Sequence, residues 1–229
     1  MVDSLIALPG LVSLAYGRLR RIRRVKALLG STLLTSIPYL IWDHFAVLQG
    51  SWTFSRSNTL GLYWFGMPLE EYLFFLSVPL SSLLIYDVAR WVLGNAQIRV
   101  PKLLFPASSI ALASLGILNV AHSYTSTVLL FTAFILLLTF FLQPHLLSSA
   151  SFWIFQALSY IPFLAFDHIL VTLPAFTYGN GAILGIRVFQ IPLEEFAYSF
   201  SLLDLYCTLY SFLSSSDSRS RGLGHGRVP

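Results

Sequence analysis

Asp43, Glu70 and Glu71 are followed, 124 positions further along the chain, by Asp167, Glu194 and Glu195. Two carboxyls brought together in apolar surroundings tend to share a proton. A proton held in that way beside an apolar ligand makes a general acid, and the ionised partner makes a base. These six residues are the majority of the ten acidic residues in a chain that is only 10% charged, so their grouping calls for a reason. The plain reason is positional. Pro68 suits the first turn of a helix because it gives up no helical hydrogen bond there, and Glu70 and Glu71 would then sit where the helix dipole favours negative charge. One such site could be no more than a helix start. Two matched sites, each with an aspartate near the end of the preceding apolar run, point to chemistry.

The match extends well beyond the carboxyls. Residues 37–86 align with 161–210 without a gap, and sixteen of the fifty positions are identical. The shared residues include His44 with His168, Gly61 with Gly185, and Pro68-Leu69-Glu70-Glu71 with Pro192-Leu193-Glu194-Glu195. A carboxyl inside the boundary of an apolar span is costly unless it is paired, protonated or facing a polar cavity. Adjacent helical residues project about 100° apart, so one glutamate of each pair can face its aspartate. His44 and His168 could relay protons, but the simpler reading is a polar residue satisfied at an interface. The aromatic residues around the carboxyls are Trp42, Trp52, Phe54, Trp64, Phe65, Tyr72, Phe74 and Phe75, answered by Phe163, Phe166, Phe176, Tyr178, Phe189, Phe196 and Tyr198. Some belong to an aromatic belt at headgroup level. Others could turn ring faces towards a cation in a site poor in water.

The elements that must hold these residues are membrane helices. The chain is 229 residues long, 56% hydrophobic and 15% aromatic, with a mean hydropathy of +0.73. That composition excludes a water-soluble domain of this length and predicts an all-α, multi-pass protein of the cell membrane. The net charge of +4 is no sign of nucleic acid, because the basic residues flank apolar runs. The single Cys207 excludes a disulfide framework and a cysteine-based metal site. No cleavable leader is expected, since the apolar N-terminus precedes its basic cluster.

Seven spans are predicted, at 3–17, 27–48, 68–90, 103–121, 124–142, 150–173 and 191–213, against the ~20 residues needed to cross a bilayer. Six basic residues lie between Arg18 and Lys26. Arg90, Arg99, Lys102, Arg219, Arg221 and Arg227 fall on the same side, and only Arg56 and Arg187 on the other. The positive-inside rule then gives an outside N-terminus and a cytoplasmic C-terminus. Corresponding spans sit four apart, which makes the internal repeat parallel, three plus one plus three. The expected division is a first repeat over 1–90, a connector helix over 91–123, a second repeat over 124–213, and a polar, disordered tail over 214–229.

Asp43, Gly50, Trp52, Phe54, Gly61, Pro68-Leu69-Glu70-Glu71 and Phe74-Phe75 resemble the first half of the integral-membrane lycopene cyclase family. This family occurs in archaea and some bacteria as two small subunits or one fused chain, and at the N-terminus of fungal bifunctional carotenoid enzymes. Ile161-Pro162-Phe163 through Tyr178, Ile183–Arg187 and Pro192-Leu193-Glu194-Glu195 are similar to the partner half. One departure is that the family's second half more often carries Asn where Asp167 stands, and Glu-Asp where Glu194-Glu195 stand. Which half carries the acid is therefore left open.

The resemblance implies an isomerase of carotenoid biosynthesis that converts lycopene to β-carotene through γ-carotene. A carboxylic acid protonates the terminal double bond, the cation closes a six-membered ring, and a base removes a ring proton. Such a reaction is redox-neutral, so no cofactor is expected, and Gly179-Asn180-Gly181 lies in the wrong context for a dinucleotide site. The expected partners are carotenoids and the lipid bilayer, with a homo-oligomer or contact with other carotenoid enzymes possible. Three rival readings share some of these features. A retinal-binding photoreceptor needs a lysine in its seventh span, and Lys26 and Lys102 are both in loops. A metal-dependent prenyltransferase would carry cytoplasmic acidic repeats. A small-solute or proton-coupled transporter shares the repeat plan and is the remaining alternative.

Overall fold

The computed structural model describes residues 24–173 and 175–223. The expected first span, 3–17, and most of the basic cluster lie outside the described residues.

Within them the protein is all-α, with short strands confined to the loops. Helix α1 (Val25–Leu48) is followed by β1 (Trp52–Phe54), β2 (Tyr63–Trp64) and β3 (Met67–Pro68), then by α2 (Leu69–Leu93). Next come α3 (Leu104–Leu118), α4 (Ser123–Leu142) and the short α5 (Pro144–Leu147). The chain ends with α6 (Ala150–Thr172), β4 (Phe176–Tyr178), β5 (Arg187–Val188), β6 (Ile191–Pro192) and α7 (Leu193–Leu223). A backbone in hydrocarbon must satisfy its own polar groups, which is why long apolar runs become helices. Helices α1, α2, α4 and α6 are each long and apolar enough to cross a bilayer, and the protein is a multi-pass membrane protein. Prolines 38, 79 and 162 lie inside α1, α2 and α6, a placement that membrane helices tolerate.

Helix α7 is the axis of the bundle. It packs against α1, α2, α4 and α6, while α2 also packs on α6 and α3 on α4. Enclosure by other helices explains its composition. Ser199, Ser201, Asp204, Thr208 and Ser211 are all buried along it, and such residues need protein partners rather than lipid. Asp204 accepts hydrogen bonds from Thr139 (2.9 Å) and Thr208 (3.2 Å), and Tyr210 donates to Asp87 on α2. The helix continues past Ser214 to Leu223, into the segment expected to be a disordered tail.

Two loops close the end of the bundle, and they share their local geometry. Phe65 and Phe189 both have φ 48°, and Gly61 and Gly185 have φ 76° and 81°. Each loop turns through a two-residue hairpin, β2–β3 or β5–β6, whose last residue is a proline. Pro68 therefore precedes its helix in extended conformation (ψ 156°) instead of opening the first turn. The loops are joined by antiparallel pairing of β1 with β4, which sets Trp52 opposite Tyr178 and Phe54 opposite Phe176. Gly179 allows this approach, since a Cβ there would stand 2.0 Å from the Gly50 carbonyl oxygen.

Candidate active site

Beneath the β1–β4 ribbon lies a cavity of about 540 Å³, open between α1, α2, α6 and α7. Asp43, Glu70, Glu71, Asp167 and Glu195 all line it. Carboxyls that are 124 residues apart in sequence thus open into one chamber. The reason is topological: α1 and α6 deliver the aspartates from their last turns, while α2 and α7 deliver the glutamates from their first.

The two glutamates of each pair divide their work. Glu70 Oε1 accepts the backbone N–H of Leu60 at 2.5 Å, and Glu194 Oε1 accepts that of Leu184 at 2.8 Å. Each therefore tethers the loop that precedes its own helix. Glu194 also accepts from Thr125 at 2.5 Å and lies off the chamber wall. The second member of each pair turns inward, as the 100° helical offset requires. The Glu71 carboxyl lies within reach of that of Asp43. Two carboxyls this close in apolar surroundings tend to share a proton. Glu195 Oε1 instead accepts two phenols, Tyr124 at 2.6 Å and Tyr178 at 2.5 Å. Asp167 stands within electrostatic reach of both Glu195 and Glu71, and its Oδ2 is buried without a hydrogen-bond donor among the described residues. Burial, and then the Glu195 charge, push the Tyr178 phenol well above its usual range, so it remains a donor. Among the described residues, no group of three or more His, Cys, Asp or Glu side chains could hold a metal ion.

The rest of the wall is aromatic. Phe74 of α2 stacks on Phe166 of α6 at 5.9 Å and 20°, and Tyr124 stacks on Tyr178 at 5.7 Å and 25°. Trp52 meets Tyr124 edge-on at 5.1 Å, and Phe54 faces Phe176 at 6.4 Å. The chamber is thus a small apolar hollow with carboxyls at hand, suited to binding the end of a hydrocarbon and moving protons on it.

A family model described as lycopene cyclase matches residues 1–89 and 121–213, most of the chain. The chain belongs to the lycopene cyclase family. No curated protein and no solved structure matches it. Family membership together with the helical architecture makes this a membrane-embedded enzyme of the lycopene cyclase type, consistent with a carotenoid substrate held in a lipid bilayer.

In this member of the family, most of the residues singled out from the sequence meet in the chamber: Asp43, Glu70, Glu71, Asp167, Glu195, Trp52, Phe54, Phe74, Phe166, Tyr178 and Tyr198. Three others do not. Glu194 is turned to Thr125 and Leu184. Phe75 is fully buried against Tyr39, because a helix cannot point two consecutive side chains the same way. Trp42 packs on Tyr198 and Phe131 and faces a separate hollow of about 310 Å³ beside α4. His44 Nδ1 is engaged with the Phe65 carbonyl at 2.8 Å and takes no part in the chamber. Sequence reasoning missed Tyr124, which opens α4, whereas Phe176 of β4, one of the aromatics expected around the carboxyls, lines the chamber. The strand pairing of Trp52 with Tyr178 could not be foreseen either, since nothing in the spacing sets two loops 124 residues apart against each other.

Proposed function

We propose that this protein is a lycopene β-cyclase that converts lycopene to β-carotene through γ-carotene by redox-neutral, proton-initiated ring closure. The observation that carries this reading is the convergence of both carboxyl sets on one chamber walled by aromatic rings. A carboxylic acid protonates the terminal double bond, ring faces of Trp52, Phe54, Phe74, Phe166 and Tyr178 stabilise the cation, and a carboxylate removes a ring proton. Asp43 with Glu71 and Asp167 with Glu195 are the acid/base sets. Glu70 and Glu194 hold the loops in place, and Tyr198 shapes the chamber floor. Seven spans in a three-plus-one-plus-three parallel repeat, with the N-terminus outside and the C-terminus in the cytoplasm, place these groups near the outer face.

A single chamber has a consequence for turnover. A forty-carbon polyene is comparable in length to the ~30 Å hydrocarbon layer, so one end reacts while the other stays in lipid. Closing both rings requires release and reversal, and the one-ring intermediate accumulates early. The transporter reading draws on Asp204, a carboxyl fully buried well inside α7. Family membership and the aromatic chamber favour the enzyme.

The test is expression in a lycopene-accumulating bacterium followed by pigment chromatography. The reading expects γ-carotene first and β-carotene later. Unchanged lycopene in cells with folded protein in the membrane would sink it.

A further inference from the structure

The two halves do not present equivalent carboxyls to the chamber, and the difference lies in the hydroxyls around them. Resting on the cyclase reading above, we infer that Tyr124 and Tyr178 fix Glu195 as the base, with the Asp43–Glu71 pair as the proton donor. Both phenols donate to the same oxygen, Oε1 of Glu195, at 2.6 and 2.5 Å. Hydrogen bonds donated to a carboxylate favour its charged form and fix its direction. One repeat earlier the position of Tyr178 is occupied by Phe54, which has no hydroxyl. Glu71 lies beside the carboxyl of Asp43, and two carboxyls so placed favour a proton between them.

The steps balance within this set. The proton of the Asp43–Glu71 pair forms a C–H bond at the terminal alkene, using its π electrons and leaving a tertiary cation. The next π bond along the chain closes the ring and moves the cation to a ring carbon. Glu195 takes a proton from a carbon beside that cation, and the released C–H electrons become the ring double bond. Asp167, within reach of both Glu195 and Glu71, passes the proton back, so none is gained or lost over a cycle.

Removable protons flank the final cation on the chain-bearing ring carbon, on the ring methylene and on the methyl group. Which one leaves depends on where the base oxygen stands, so positioning of Glu195 sets the position of the ring double bond. Tyr124 and Tyr178 are positioning residues, and ring-isomer composition reads their role where mere loss of fold would not.

The experiment compares wild type with Tyr178→Phe, Tyr124→Phe and the double variant in the lycopene-accumulating host. Pigments are normalised to membrane-inserted protein, and ring isomers are separated by chromatography. Tyr178→Phe keeps the ring that stacks on Tyr124 and removes only the hydroxyl, so it answers even where Tyr124→Phe fails to accumulate. The expected result is a fall of about ten-fold or more in cyclised product per protein, with isomers carrying a displaced ring double bond appearing in the variants. Reduced yield at an unchanged isomer ratio, or no change in either, overturns the assignment while leaving the cyclase reading intact. A wild type that forms no ring overturns both.

Discussion

The two loop-and-helix units that roof the chamber are alike in backbone and unlike in polar detail. Both turn at a phenylalanine of φ 48°, both end in a proline that closes a two-residue hairpin, and both tie the preceding loop to the first glutamate of the helix. Yet Glu71 meets another carboxyl, whereas Glu195 is held by two phenols. A shared scaffold thus delivers four carboxyls to one place, and a handful of hydroxyls makes them unequal. A reaction that needs an acid and a base at once requires that inequality, because two identical sets would compete for the same role.

The comparison breaks most clearly at the inward carboxyls. Glu71→Gln and Asp43→Asn are expected to lower cyclisation by about 10²–10⁴-fold, leaving unreacted lycopene on chromatography. Activity within a few-fold of wild type would deny the pair its donor role. Glu195→Gln is expected to lower total rings by about 10²-fold or more, with any residual product enriched in displaced double bonds. Here the isomer ratio separates loss of base from loss of acid.

Phe54→Tyr sharpens the comparison from the other side. It places a hydroxyl on the first half where the second already has one, in the wall of the chamber that holds the acid, and a donor that reaches a carboxyl favours its ionised form. The expected result is a slowing of up to about ten-fold at an unchanged ring isomer, read from initial rates in membranes. Gly179→Ala tests whether the halves must be clasped. Its Cβ would meet the Gly50 carbonyl at 2.0 Å, so the ribbon must part, and a thermal melt of the detergent-solubilised protein should shift downward by several degrees. The smallest effect is expected of Glu70→Gln and Glu194→Gln. Each keeps an oxygen for its loop N–H, so activity should stay within a few-fold of wild type, in contrast to Glu71 and Glu195. A loss as large as theirs would show that the loop-tethering glutamates also move protons.

Much of this arrangement was legible before any coordinates. Apolar run lengths located the helices, because the bilayer imposes one length scale, and the repeated Pro-Leu-Glu-Glu with its upstream aspartate marked the chemistry. What stayed hidden was relational. The direction in which Phe75 and Trp42 point depends on helix phase against neighbours. Tyr124 stands outside the aligned segments, so nothing flagged it. Asp204 lies in an apolar run, and enclosure of α7 by four helices explains how it is accommodated. The facing of β1 and β4 depends on how two halves dock, which pattern within each half does not encode.

The most direct test follows the hydrogen itself. Purified protein equilibrated in D₂O is mixed with a limiting amount of lycopene for a single turnover, and the cyclised product is analysed by mass spectrometry. Proton donation from the carboxyl pair predicts one deuterium retained per ring formed, in wild type and in Glu70→Gln alike. Rings formed without deuterium would contradict the account.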